Sequence, residues 1–168
     1  MGQFATLEIF AQFKKVTFYT VRFEEEQLSE TDKFFGRFRE NLERRKQLRE
    51  MAIFIETIGN EYGAKIWLFR DENAAEALPP EYRVVIKNSL VQFLDYDLRL
   101  FCIRLNDGVV ILLNGGIKTA QKVNDCPDLL PKFRAAQKIS QRITEKIIDK
   151  EWLLKTLTLE AKELEFEL

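Results

Sequence analysis

Three cations set at the ends of apolar runs are the residues of this chain best suited to chemistry. Arg70 follows AKIWLF, Arg99 opens LRLFCIRL, and Lys118 follows VVILLNGGI. Arg104 lies near the turn between the last two runs, on the face opposite Arg99. Cations mounted on strand ends are held rigidly, which suits a phosphate backbone or the charge that builds on phosphorus during phosphoryl transfer. Cleaving RNA through its own 2′-hydroxyl needs a base for that hydroxyl, cations for the equatorial oxygens and an acid for the leaving oxygen. The chain has no histidine, so lysine or tyrosine is expected to move the proton. The bland alternative is an exposed cross-strand ion pair between Asp97 and Lys118, of little energetic consequence.

A second basic set, Arg44, Arg45, Lys46 and Arg49, falls in the stretch Lys33 to Arg49, where seven basic residues meet only Glu40 and Glu43. With Arg104, the residues Arg44, Arg45 and Lys46 are candidates for RNA contacts; the plain alternative is a solvated helix face. The charge of the whole chain is balanced, 26 basic against 27 acidic, and the tail from Glu145 to Leu168 is acidic.

Other chemistries lack their motifs. There is no phosphate-binding glycine loop, no G-x-G-x-x-G, no Cys/His zinc spacing and no nucleophile elbow. Gly115-Gly116 and Lys118 follow a strand but open no helix, so they do not read as a nucleotide loop. No metal or cofactor is expected. Cys102 and Cys126 make no disulfide framework, and Cys102 reads as a buried apolar thiol. No leader pattern opens the chain and no apolar run approaches the ~20 residues of a membrane span, so a cytoplasmic protein is expected.

The elements that must position the cations centre on Leu98 to Thr119. Two strands, Leu98 to Leu105 and Val109 to Asn114, flank Asn106-Asp107-Gly108, a strong hairpin signal. Both are apolar at nearly every position, as in a strand covered on two faces. A two-residue loop places Asn106 opposite Val109, Arg99 opposite Gly116 and Asp97 opposite Lys118, so Arg99 and Lys118 share a face at the open end. Phe4 to Phe13 and Val16 to Phe23 predict an N-terminal hairpin. Ser29, three residues ahead of Asp32, opens a helical pair jointed near Asn41 and ended by Gly59, with one long helix as the competing reading. Ala64 to Phe69 reads as a short strand that Arg70 ends, and Tyr82 to Lys87 as an extra strand or covering segment. Pro131 suits the start of a helix with Phe133, Ala136, Ile139, Ile143 and Ile147 on its apolar side. The segment 151–168 fits strand or helix. With 46% hydrophobic residues and 14 Phe, one domain spanning 1–168 is expected, with a core about 16–148 and an extension over 149–168. The class is α+β, a mostly antiparallel sheet with helices packed on one face.

This order, a strand, a helical pair, a strand with Leu68-Phe69-Arg70, then LRLFCIRL, VVILLNGGIKT and an amphipathic helix, resembles the RelE/ParE toxin superfamily, including its HigB-like and phage-derived branches. The resemblance covers roughly Val16 to Ile148 and is most specific from Leu98 to Lys118. It implies a RelE-like fold and a bacterial or phage toxin-antitoxin toxin that cleaves mRNA on the ribosome by metal-independent acid-base chemistry. It also implies a cognate antitoxin that wraps it. Arg70, Arg99 and Lys118 match the family's catalytic or RNA-contacting cations: Arg99 and Arg70 would hold phosphate, and Lys118 would stabilise charge or transfer a proton. After Lys118, Thr119-Ala120-Gln121-Lys122-Val123 lacks the family's arginine and aromatic residue. A gyrase-directed relative, or an inactive phage accessory protein that binds other proteins, would carry the same scaffold.

Overall fold

The computed structural model describes residues 2–73, 75–81, 83–86, 89–93 and 95–168. Its centre is a seven-stranded sheet built from β1 (Phe4–Gln12), β2 (Thr17–Phe23), β3 (Arg70–Glu72), β4 (Ala75–Leu78), β7 (Leu98–Asn106), β8 (Val109–Ile117) and β11 (Glu165–Glu167). The spatial order is β11-β1-β2-β8-β7-β4-β3, antiparallel throughout except for the parallel pair β2 and β8. Two small hairpins lie outside it, β5 (Val84–Ile86) with β6 (Ser89–Val91), and β9 (Leu153–Leu154) with β10 (Leu159–Glu160). The class is therefore α+β with a mostly antiparallel sheet. Among the described residues no helix is long and apolar enough to cross a membrane.

The expected hairpin occupies the middle of the sheet, and its unbroken apolar runs are explained by cover on both faces. Phe101, Ile103, Ile111 and Leu113 face one core; Leu100, Cys102, Val110 and Leu112 face the other. Helices α1 (Glu30–Arg39) and α2 (Arg45–Thr57) fill the second core through Phe34, Phe38, Leu48, Met51 and Phe54. Helix α3 (Leu130–Ile148) fills the first through Phe133, Ala136, Ile139 and Ile143. The expectation of helices on one face is thus corrected: a central hairpin apolar on both sides needs a helical layer on each.

Local signals explain most of the boundaries. Ser29 Oγ accepts the Asp32 N–H at 3.1 Å and caps α1, and a break at Asn41 separates α1 from α2, so the helical pair forms in place of one long helix. Gly59 does not end the second helix. The chain continues through a wider turn, Ile58–Tyr62, and stops at Gly63, whose φ of 77° suits glycine. Ala64 to Phe69 is not a strand. The Ala64 N–H goes to the Asp107 carbonyl (2.7 Å), Ile66–Leu68 winds into a 3₁₀ turn, and Arg70 consequently begins β3. Of the segment Tyr82 to Lys87, Val84–Ile86 forms a strand, while Tyr82 and Lys87 lie outside the described residues. The tail forms short strands: β11 extends the sheet beside β1, and Trp152 packs edge-on against Phe166 on the α3 face.

Pairing of β7 with β8 opens at Asn106 opposite Val109 and closes with Arg99 opposite Gly116 and Leu98 opposite Ile117. Between them lie two irregularities of opposite sense. Leu105 is an extra residue on β7, and one extra residue falls on β8 at Leu113-Asn114. They cancel, and the register at the open end is the one a simple two-residue loop would produce. At that end Gly115 lies so close to β7 that a Cβ would overlap the carbonyl oxygen of Arg99. Gly36, inside α1, has nothing within 4 Å of the corresponding position. Gly115→Ala should therefore lower stability by about 1–3 kcal/mol or more, as overpacking does. Gly36→Ala should raise it by ~0.5–1 kcal/mol through helix propensity. Thermal and urea unfolding of the two variants beside the parent measures both, and equal effects would contradict the close approach at Gly115.

Candidate functional site

Residues alternate on a strand, so Arg70 and Glu72 point to the same side of β3. Arg70 is opposite Ala77 and Glu72 opposite Ala75, and both alanines belong to the core under α3. Ala77 is opposite Phe101, also in that core, and Arg99 lies two residues before Phe101 on β7. Arg70, Glu72 and Arg99 thus share the α3 side of the sheet. Lys118, just past β8, joins them through its N–H to the Asp97 carbonyl (2.7 Å). The result is one carboxylate, Glu72, acted on by three cations, Lys118, Arg70 and Arg99.

Burial and charge compete at this cluster. Burial raises the Glu72 carboxyl above the usual glutamate value, against the pull of Lys118, Arg70 and Arg99 and with help from Glu81. Burial also depresses Arg99, and repulsion from Arg70 adds to it; Glu72, Asp97 and Glu81 oppose, and the guanidinium titrates at about 10. Arg99 is only 7% exposed. Its Nη1 donates to the carbonyls of Tyr96 (2.7 Å) and Leu98 (2.9 Å), while its buried Nε–H has no partner among the described residues. A buried donor left unpaired costs about 1–3 kcal/mol, so the cluster holds one polar group unsatisfied.

Arg70 is differently occupied. Its side chain is 11% exposed, its Nε donates to the Pro79 carbonyl at 3.2 Å, and Nη1 lies 3.3 Å from Glu81. It anchors the proline segment and acts on Glu72 and Arg99 by its charge. The Asp97–Lys118 side-chain ion pair does not form. Asp97 is taken by Arg44, whose Nη2 stands 2.9 Å from Oδ2 and whose Nε is 3.2 Å from both carboxylate oxygens. Gln47 Oε1 accepts the N–H groups of Asp97 and Leu98 at 3.2 Å each. Arg44, at the start of α2, and Gln47, in its first turn, therefore pin the beginning of β7, and Lys118 has no ion-pair partner among the described residues.

The remaining expected RNA contacts separate. Arg104 is on the opposite face from Arg99, as its parity on β7 implies, and is bound to the Ala64 carbonyl (2.5 Å) and to Asp107. It closes the turn end of the hairpin. Arg45 and Lys46 are exposed on α2, and Lys46 lies 3.9 Å from Glu50. Neither reaches the Glu72 cluster. Glu72 itself is the functional candidate that sequence reasoning missed; its signal was the i, i+2 spacing from Arg70, hidden while Arg70 was read as the end of a strand. No family model, curated protein or solved structure matches this chain.

A carboxyl whose folded pKa lies above its unfolded one binds more protons folded than unfolded between the two values, so its ionisation removes stability as pH rises through that window. Glu72→Gln abolishes this loss. The variant's melting temperature should exceed the parent's at pH 7, and the gap should close as pH falls toward and below the ordinary glutamate value near 4.5. A gap independent of pH would show that Glu72 is not the group concerned.

Proposed function

We propose that this protein is a metal-independent endoribonuclease of the RelE kind, the toxin of a toxin-antitoxin pair that cleaves mRNA on the ribosome. The observation that carries the reading is the convergence of Lys118, Arg99 and Arg70 on the raised carboxyl of Glu72 at one end of the sheet. Support also comes from the succession of β2, the helical pair, β7, β8 and α3, although β3 begins at Arg70 where the resemblance has a strand that carries Leu68-Phe69-Arg70.

In a chain without histidine, Glu72 supplies the base, and its raised pKa brings its basicity nearer neutrality. Ionised Glu72 takes the proton of a 2′-hydroxyl as the 2′-oxygen bonds to phosphorus. The phosphorus bond to the 5′-oxygen breaks, and the Lys118 ammonium gives that oxygen a proton. The products are a 2′,3′-cyclic phosphate and a 5′-hydroxyl, and no co-reactant is consumed. The positive charge of the Arg99 guanidinium stabilises the equatorial oxygens as charge accumulates. Arg70 is a positioning residue that fixes the Pro79–Glu81 segment and biases the charge of its neighbours.

Induced expression should arrest growth and leave mRNA fragments with 5′-hydroxyl ends. Cleavage should fall by ~10²–10³-fold in Arg99→Ala, as for loss of one transition-state donor, and by ~10²–10⁴-fold in Glu72→Gln and Lys118→Ala, as for loss of a general base or acid. The acid limb of the kcat/KM profile should lie above that of an ordinary glutamate and vanish in Glu72→Gln. Neither arrest nor cleavage, or full toxicity in an Arg99→Ala/Lys118→Ala double variant, overturns the proposal.

A further inference from the structure

The outer side of the helical pair carries a groove of about 450 Å³ between α1 and α2. Phe35, Leu48 and Ala52 form its floor and Arg39, Arg45 and Arg49 its rim. Helical spacing puts Arg45, Arg49 and the exposed Ile53 in one row along α2. None of the three arginines has an ion-pair partner among the described residues, whereas Lys33, Arg37 and Arg44 of the same stretch are all paired. Three unneutralised cations around an apolar floor form a surface whose complement is acidic at its edges and apolar along its middle.

The geometry points to an acidic amphipathic helix of a partner protein as the occupant of this groove. Two adjacent helices offer ridges between which a third can lie, with leucine or phenylalanine on the floor and glutamates against the rim. Single-stranded RNA fits less well. It binds by stacking bases on free aromatic faces, and the Phe35 ring is already stacked on Phe10 at 6.1 Å and met edge-on by Phe34 at 5.6 Å. The inference stands apart from the nuclease reading, because Glu72 and Arg99 lie on the other side of the sheet, under α3.

The test uses the full chain and a labelled synthetic 18-residue peptide with leucines at i, i+3, i+4 and i+7 and glutamates elsewhere, read by fluorescence polarisation. A scrambled peptide of equal composition and a single-stranded RNA serve as comparators. The patterned peptide should bind about tenfold or more tightly than the scrambled one, and Arg45→Glu/Arg49→Glu should weaken it by a similar factor. Ala52→Arg adds positive charge yet fills the floor. It should weaken the patterned peptide while circular dichroism and melting temperature stay at the parent's values. The proposal is overturned by absent binding, by equal binding of both peptides, or by strengthening in Ala52→Arg. It is equally overturned if RNA binds and is lost in the same variants, which would make the groove a nucleic-acid surface.

Discussion

The pairing of β7 with β8 is the constraint from which the rest of the molecule follows. Both strands are buried on both faces, so a one-residue slip would exchange the side chains of the two cores and set Phe101 and Ile103 against α2 in place of α3. Two extra residues, Leu105 on β7 and one at Leu113-Asn114 on β8, would each cause such a slip alone. Together they cancel over the length of the ladder and leave Arg99 facing Gly116. The close approach at Gly115 fits the same logic, because the strands draw together where the β8 irregularity is taken up. Gly116 plays a parallel part: Asp128, which accepts the Ile117 N–H at 2.7 Å, occupies the space a Cβ would need.

From that register comes the distribution of charge at the open end. Lys118 and Asp97 are cross-strand neighbours through the backbone, and side chains so placed would ordinarily pair. Arg44 takes Asp97 with a planar fork matched to both carboxylate oxygens, a geometry an ammonium cannot reproduce. Helix α2 thereby fixes the start of β7 and leaves the Lys118 charge to Glu72. Burying Arg99 beside Arg70 is unfavourable for both, and the half-buried Glu72 carboxylate offsets part of that repulsion. The cluster is held by the surrounding fold while its own charges remain incompletely satisfied, as is common at sites that bind or transform charged ligands.

Features that depend on local chemistry were legible in the chain: the Asp107-Gly108 turn, the Ser29 cap, the break near Asn41, and the central place of strands apolar at nearly every position. The convergence of Arg99 and Lys118 was legible as well, although through a register whose two irregularities left no sequence signal. What could not be read depended on long-range competition. Ala64 to Phe69 has a strand's composition, but the β7–β8 turn claims the Ala64 backbone and leaves Ile66 and Trp67 exposed. The side of the sheet taken by α3 follows from which face α1 and α2 already cover, a question no single segment answers. Glu72 became visible only once β3 was known to begin at Arg70.

The basic stretch from Lys33 to Arg49 shows why a count of charges is a poor guide to a binding surface. Its seven cations divide by helical phase and by the neighbours each phase meets. Lys33 reaches Glu26 and Glu30, Arg37 reaches Asp128 at 2.8 Å, and Arg44 reaches Asp97 at 2.9 Å, so these three join α1 and α2 to the rest of the fold. Lys46 is weakly matched to Glu50 at 3.9 Å. Arg39, Arg45 and Arg49 are left, and they surround a groove to which both helices contribute apolar floor. Arg44 and Arg45 are adjacent in sequence, yet one is spent holding the strand that carries Arg99 and the other is free at the surface. A rotation of about 100° per helical residue is enough to separate the two roles. The same helices can thus position the sheet end with their inner rows while offering a cationic groove with their outer ones.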